Sequence, residues 1–302
     1  MPRSPPADPM HPVLFELPGW GPINAYGTMI MLGGLLAMPG VYWELRRRGM
    51  GDGRPGSMLV DMYLVLVLGA PLGGRVLHVL TAPGAYLDDP SRLWAMDGTG
   101  FVFFGSMLAI IGGFAWVAHR YGTAFGRLCD AGATWMPLGH AFGRMGCLLA
   151  GCCWGAPSEL PWAIELPRES VAFGAGEVPR SAHATAPLHP TQLYEHLGLL
   201  ALFGILLVVR LRRGIETPWR QASRYALGYG ILRAVVEVFR GDPSRGFVLE
   251  ARSPTVAGWL GLPPDQPLLL SISQLVALGL VALGIYGLRR TTSRREPATL
   301  DP

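Results

Sequence analysis

An all-α polytopic membrane protein, with a small extracytoplasmic cap, is the fold class this sequence predicts, and three observations predict it. Half of the 302 residues are hydrophobic, 15% are charged and the mean hydropathy is +0.32, whereas an ordinary soluble domain is about a quarter charged. Seven apolar runs approach the roughly 20 residues needed to cross about 30 Å of hydrocarbon: Ala25–Trp43, Ser57–Leu80, Phe101–Val117, Gly132–Ala150, Leu193–Val209, Tyr225–Phe239 and Leu268–Leu288. The charges fall mainly between these runs, and all 25 Lys+Arg positions are arginine. The net charge of +4 and pI near 9.0 suit a cytoplasmic membrane face. No arginine stripe with interleaved aromatics accompanies them, so nucleic acid is not an expected partner.

Residues 1–22 are proline-rich and carry Arg3 as their one basic charge. No apolar core followed by a small-residue cleavage site is read there, hence no removable signal peptide. Pro12–Pro18 is too short to span, so residues 1–24 are expected to lie at the interface, ahead of a seven-span domain over 25–288. Arg46, Arg47, Arg48 and Arg54, then Arg120 and Arg127, then Arg210, Arg212, Arg213, Arg220 and Arg224, then Arg289, Arg290, Arg294 and Arg295 cluster in alternate loops and after the last run. Positive charge stays inside, which puts the N-terminus outside and residues 289–302 in a cytoplasmic tail. Segments 156–191 and 241–267, dense in proline and glycine, then face outward as loops with short strands and form the cap.

Arg75, Arg144 and Arg233 fall within or at the ends of apolar runs. A guanidinium at the bilayer centre costs about 2.5–3.5 kcal/mol on insertion scales, so each needs a partner or a task. Arg75, with His78 one turn on, either snorkels to the interface or is functional. Arg233 has Glu237 one turn away and is either half of a structural ion pair or a ligand group. Arg144 has no carboxylate within a turn. Two arginines in the outer half of a bundle suit a lipid phosphate, which a guanidinium holds by forked hydrogen bonds.

The run 140–155 sets His140, Arg144 and Cys147 on one helical face, four and then three residues apart. Cys147, Cys152 and Cys153 follow a C-x4-C-C spacing on the expected oxidising side. A structural disulfide or small-residue packing, a redox or nucleophilic role, and a metal site all stay open, although the spacing is not that of paired zinc knuckles. His140 is either a base or a helix histidine bonded to a carbonyl or tyrosine hydroxyl. Tyr26 and Tyr229 either bond a headgroup or pack with their polar tips at the interface.

Several motifs, in order over roughly 12–288, carry a resemblance. Pro12-Val-Leu-Phe15 and Ala25-Tyr-Gly27, Gly74-Arg-Val-Leu-His78, Gly143-Arg-Met-Gly146, His189-Pro-Thr-Gln-Leu-Tyr-Glu195, and Tyr229-Gly-Ile-Leu-Arg233 with Glu237 and Arg240 resemble the motifs of the prolipoprotein diacylglyceryl transferases. These bacterial inner-membrane enzymes move diacylglyceryl from phosphatidylglycerol to the cysteine thiol of a preprolipoprotein. The resemblance implies seven spans with an outside N-terminus, Arg144 as the essential arginine, Arg233 as a second one, and Tyr26 on the family's tyrosine. It implies lipid binding by Arg144, Arg233, Tyr229, Glu237, Arg240, His189, Tyr194 and Glu195. The implied partners are phosphatidylglycerol, prolipoprotein signal peptides and membrane lipids, with no cofactor or metal.

Three departures mark a divergent, cysteine-containing branch. Phe104 stands at the family's histidine with Ser106 at a neighbouring glycine, Cys147 at the signature's asparagine, and Cys152 at a glutamate. Thioether formation at a glyceryl carbon needs a thiolate and stabilisation of the departing phosphate. The arginines suit the phosphate, and His140 is the nearest substitute base, ahead of His78, His189 and His196. The alternative expectation is a non-transferring, lipid-binding paralogue with a redox or thiol-exchange cysteine cluster.

Overall fold

The computed structural model describes residues 13–17, 21–94, 102–242 and 245–291. In chain order they form β1 (Val13–Leu17), β2 (Gly21–Asn24), α1 (Ala25–Arg47), α2 (Pro55–Leu64), α3 (Ala70–Thr81), α4 (Gly84–Asp88), α5 (Phe103–Arg120), α6 (Phe125–Ala133), α7 (Met136–Ala150), α8 (Val171–Ala175), α9 (Thr191–Arg213), α10 (Arg220–Val238), β3 (Phe247–Arg252), α11 (Pro254–Trp259), β4 (Pro267–Ser271) and α12 (Ile272–Arg290). A π-helical stretch, Val65–Gly69, makes Pro55–Thr81 one continuous helix. Residues 1–12, the start of the expected interfacial segment, and 292–302, most of the expected tail, lie outside the described residues.

The protein is a helical membrane protein. Among the described residues, four helices are long and apolar enough to cross a bilayer by length and composition: Ala25–Arg47, Pro55–Thr81, Thr191–Arg213 and Ile272–Arg290. Their outward faces carry what a soluble helix buries. Leu197, Ile205, Val208 and Leu211 on α9, and Leu275, Val276, Leu278 and Leu283 on α12, are all exposed, which only a hydrocarbon solvent favours along a whole helix face. The other three apolar runs are helical too, but shorter or more charged. The 15 residues of α7 cover only about 22 Å at about 1.5 Å each, and α10 carries Arg220, Arg224, Arg233 and Glu237.

The all-α expectation is corrected at four short strands in two antiparallel hairpins, β1 with β2 and β3 with β4. The apolar run at Leu268 does not begin a helix. Pro267–Ser271 pairs with β3, and Ser271 then starts α12 with a capping box in which its Oγ accepts from Gln274 N at 3.1 Å and its own N donates to Gln274 Oε1 at 2.9 Å. The run from Gly132 is likewise interrupted: α6 ends at Ala133 and α7 starts at Met136, with Pro137 in its first turn.

The described residues divide into two compact units, one within 38–132 and the other made of 13–37 with 133–291. In the first, α3 and α5 touch backbone to backbone at Gly73 and Gly105, where neither site has room for a Cβ, and Ser106 Oγ donates to Ala70 O at 2.7 Å. Its polar groups are paired: Arg48 with Glu44 at 2.8 Å, Arg120 with Asp61 at 3.3 Å, and Tyr121 OH donating to Asp61 at 2.9 Å. Arg75 donates to Tyr86 OH at 3.3 Å, and His78 Nδ1 lies 2.7 Å from the same hydroxyl.

In the second unit α7 packs on α9, and α10 packs closely on α12. The α10–α12 contact runs through Gly230, where a Cβ would stand 2.7 Å from Ala277 O and 3.0 Å from Val281 N. Gly230→Val is therefore expected to cost about 1–3 kcal/mol by overpacking and to lower the detergent-phase melting temperature. Gly279→Ala on α12, where a Cβ meets nothing within 4 Å, is expected to leave that temperature unchanged or slightly raised. Equal melting by both variants would contradict the packing. The segments between the long helices, with the short helices α8 and α11, hold two small apolar clusters, Trp154, Leu166, Ala172, Val178 and Leu188 in one, and Ala156, Ala257, Leu262 and Leu268 in the other.

Candidate active site

The end of α7 shapes the site. Gly151 takes the left-handed conformation at φ 65° and packs against Ser170 too closely for any side chain. Its N donates to Leu148 O and Cys152 N donates back to Cys147 O, both at 3.0 Å, which is a Schellman turn. That turn folds Cys152 over Cys147. Cys153 follows with a positive φ of 60°, an uncommon conformation for a residue with a side chain. The Sγ atoms of Cys147, Cys152 and Cys153 all lie within 4.8 Å of one another, and all four cysteines are free thiols. Outside the helix, hydrogen bonds from Cys147 and Cys152 pull the Cys153 thiol below its ordinary value, helped by the charges of Arg240 and Arg144.

The first turns of α9 hold this loop from the other side. Thr191 Oγ1 donates to Cys153 O at 2.9 Å and Gln192 Nε2 donates to Cys152 O at 2.8 Å. Glu195 lies four residues beyond Thr191 on the same face, and His196 Nδ1 donates to Ala141 O on α7 at 2.8 Å. Thus Thr191, Gln192, Glu195 and His196 all look toward α7 and its exit. Backbone bonds from Ala156 N to Phe239 O at 2.9 Å and from Gly241 N to Trp154 O at 3.1 Å tie in the end of α10.

Within this frame Arg144, Glu195 and Arg233 meet. Arg144 Nη2 is 3.0 Å from Glu195 Oε1, and Arg233 Nη1 is 3.3 Å from Glu195 Oε2, so one carboxylate bridges guanidiniums from α7 and α10. Tyr229 OH donates to Glu195 Oε1 at 3.3 Å. Arg233 Nη2 also reaches Glu237 Oε2 at 2.6 Å and Ser273 Oγ at 3.3 Å. Glu237 Oε1 in turn accepts from Arg245 Nε at 3.2 Å and from Ser271 Oγ at 2.9 Å. Both carboxylates are almost fully buried, while Arg144 and Arg233 keep 15% and 13% of their side-chain surface open. Three guanidiniums against two carboxylates leave one positive charge over. Low dielectric makes that surplus a strong attraction for one anion at the open edges of Arg144 and Arg233.

His140 stands beside this group, Nε2 3.9 Å from Glu195 Oε1 and its ring 5.1 Å from that of Tyr229. Tyr26, partly exposed on α1, lies with its backbone against Gly146 of α7, where a Cβ would stand 3.1 Å from Tyr26 O. Arg240 is held bidentately by Asp242 at 2.6 Å for both bonds. The structure joins His189 and Tyr194 to each other rather than to the arginines. Trp162 Nε1 donates to Tyr194 OH at 2.7 Å, Tyr194 OH lies 3.1 Å from His189 Nδ1, and His189 Nε2 lies 3.2 Å from Gly261 O. A carbonyl only accepts, so Nε2 carries the proton. Burial keeps this imidazole below its ordinary pKa, against the opposing pull of the Gly261 carbonyl. Both rings pack on Phe239, 5.2 and 5.7 Å away, which anchors the start of α9.

Sequence reasoning missed Arg245, Ser271 and Ser273. Arg245 counts only as a loop charge along the chain, and its Glu237 contact depends on the turn after α10. Phe104 lies half-exposed on α5.

A family model described as prolipoprotein diacylglyceryl transferase matches residues 12–290. The phosphatidylglycerol–prolipoprotein diacylglyceryl transferase of Clostridium tetani is 33% identical over 282 residues, 92% of this chain and 96% of its own length. The one from Bordetella avium is 33% identical over 80% of this chain and 86% of its own, and that of Vibrio atlanticus 34% over 76% and 78%.

Proposed function

The chain belongs to the prolipoprotein diacylglyceryl transferase family, and we propose that it moves diacylglyceryl from phosphatidylglycerol to the lipobox cysteine thiol of prolipoproteins in the bacterial inner membrane. The observation that carries the reading is the pair Arg144 and Arg233, bridged by buried Glu195, with one uncompensated positive charge and open guanidinium edges. A phosphodiester brings one negative charge and neutralises the group. In this reading the two guanidiniums orient the lipid phosphate and take up the charge that grows on it as the glyceryl carbon–oxygen bond breaks. Tyr26 and Tyr229 bond the headgroup. In the same reading His140, 3.9 Å from Glu195 Oε1, acts as base toward an incoming thiol, and Glu237 holds Arg233 in place. Arg240, His189 and Tyr194 support lipid binding by fixing the loop above α9 and α10.

The topology proposed with this function has seven spans over 25–288, the N-terminus outside and residues 289–302 in the cytoplasm. Segments 156–191 and 241–267 form an extracytoplasmic cap through which the signal peptide arrives. Residues 1–24 lie at the interface.

The test is transfer of labelled diacylglyceryl from phosphatidylglycerol liposomes to a synthetic lipobox peptide by the purified protein. The expected products are a thioether-linked peptide and free glycerol phosphate, with no product from a peptide carrying serine in place of the cysteine. Lipid binding without transfer would overturn the reading and favour a lipid-binding paralogue. His140→Ala is expected to lower transfer about 10²–10⁴-fold if the imidazole acts as the base, with the loss easing as pH rises. A pH-independent rate in that variant would exclude the role.

A further inference from the structure

Cys147, Cys152 and Cys153 remain unexplained by the arginine site, although Arg144 lies close enough to interact electrostatically with Cys147 and Cys153, and Arg240 with Cys153. Their spacing along the chain is not that of a zinc knuckle, but the Schellman turn and the first turn of α9 bring the three sulfurs within 4.8 Å of one another. In a tetrahedral thiolate site with Zn–S about 2.3 Å, neighbouring sulfurs stand about 3.8 Å apart, so small rotamer shifts close this trio around one ion. The backbone that carries them is already fixed, since Thr191 and Gln192 clamp the Cys153 and Cys152 carbonyls. Gln192 Oε1 is buried and has no hydrogen-bond partner among the described residues. A metal-bound water is the kind of donor that such an oxygen takes.

We propose that Cys147, Cys152 and Cys153 bind one Zn²⁺ and leave its fourth position open for the thiol of the protein substrate. The inference rests on the transferase reading. Three protein ligands with an open position is the catalytic zinc pattern, whereas structural sites close all four. Zinc held by three thiolates carries a net negative charge, and the nearest cations are Arg144, which shares Glu195 with Arg233, and Arg240, which is paired with Asp242. A thiol that coordinates the ion gives up its proton to solvent or to His140 and becomes a bound thiolate. Its sulfur electron pair then attacks the glyceryl carbon. The carbon–oxygen bond to phosphate breaks with its pair on the departing glycerol phosphate, and the product thioether, a weaker ligand, leaves the metal. No oxidant or reductant is needed.

The experiment uses the full-length protein in lipid nanodiscs. Elemental analysis is expected to find one zinc per chain in wild type and in Cys129→Ser, and its loss in Cys147→Ser, Cys152→Ala and Cys153→Ala. The Co²⁺-loaded protein is expected to change its visible absorption on adding a lipobox peptide, and to stay unchanged with the serine peptide. Chelation should stop transfer and Zn²⁺ restore it. Zinc that binds equally to the cysteine variants, or a cobalt spectrum indifferent to the peptide thiol, overturns the proposal. Transfer at an undiminished rate by metal-free protein also overturns it and leaves the transferase reading standing. A thiol-dependent cobalt spectrum in a protein that never transfers lipid sinks the transferase reading while the metal site survives.

Discussion

Arg144→Ala and Arg233→Ala are each expected to lower diacylglyceryl transfer about 10²–10³-fold, the loss that follows removal of one preorganised donor from a developing anion. Both guanidiniums are mostly buried, and both are locked on Glu195 before any substrate arrives. The protein therefore spends nothing on reorganising them when the phosphate charge appears. Lysine is not expected to rescue either position, because a point charge cannot hold Glu195 and a phosphate oxygen through a planar fork. The measurement is the rate of labelled thioether formation with saturating phosphatidylglycerol, alongside a melting curve to show that each variant is folded. A folded variant that transfers within about threefold of wild type would remove that arginine from the mechanism.

Glu237→Ala is expected to give the largest loss of stability, about 3–5 kcal/mol, the range for breaking a buried pair and leaving its partner charge uncompensated. Glu237 is fully buried and takes Arg233 on one oxygen and Arg245 with Ser271 on the other. Its removal strands Arg245, leaves Arg233 with Glu195 alone as its carboxylate, and loosens β4 at the start of α12. Thermal unfolding in detergent should show a markedly lower midpoint, and Glu237→Gln, which keeps the shape and loses the charge, should also fall below wild type. A midpoint for Glu237→Ala equal to that of a surface control such as Glu169→Ala would contradict the network.

The apolar runs were legible because the span length imposes them directly on the sequence, and each of the seven is helical over most of its length. Of the strands, only β3 falls in a segment expected to hold short strands, 241–267; β1, β2 and β4 were not legible. Pro267–Ser271 reads as the start of a span by composition, and only its pairing with β3 and the capping box at Ser271 assign it to a sheet. Of the site, the arginines and the motif ending in Glu195 stand out along the chain, and Arg233 with Glu237 is a one-turn pair. The partner of Arg144 was hidden because Glu195 lies 51 residues later on another helix. Arg245 was hidden because it belongs to a loop in sequence and to the core in space. The Cys147–Cys152 contact follows from Gly151 as a helix-ending residue, but the third thiol depends on how α9 clamps the turn.

The most direct measurement of the central claim, that Arg144 and Arg233 act on one phosphate, is a double-variant cycle on the transfer rate. Groups that work as a unit are non-additive. The Arg144→Ala, Arg233→Ala double variant is expected to transfer no more than a few-fold more slowly than the poorer single variant. Losses that multiply, so that the double variant falls by the product of the two single effects, would show that the arginines act independently and would contradict a shared phosphate.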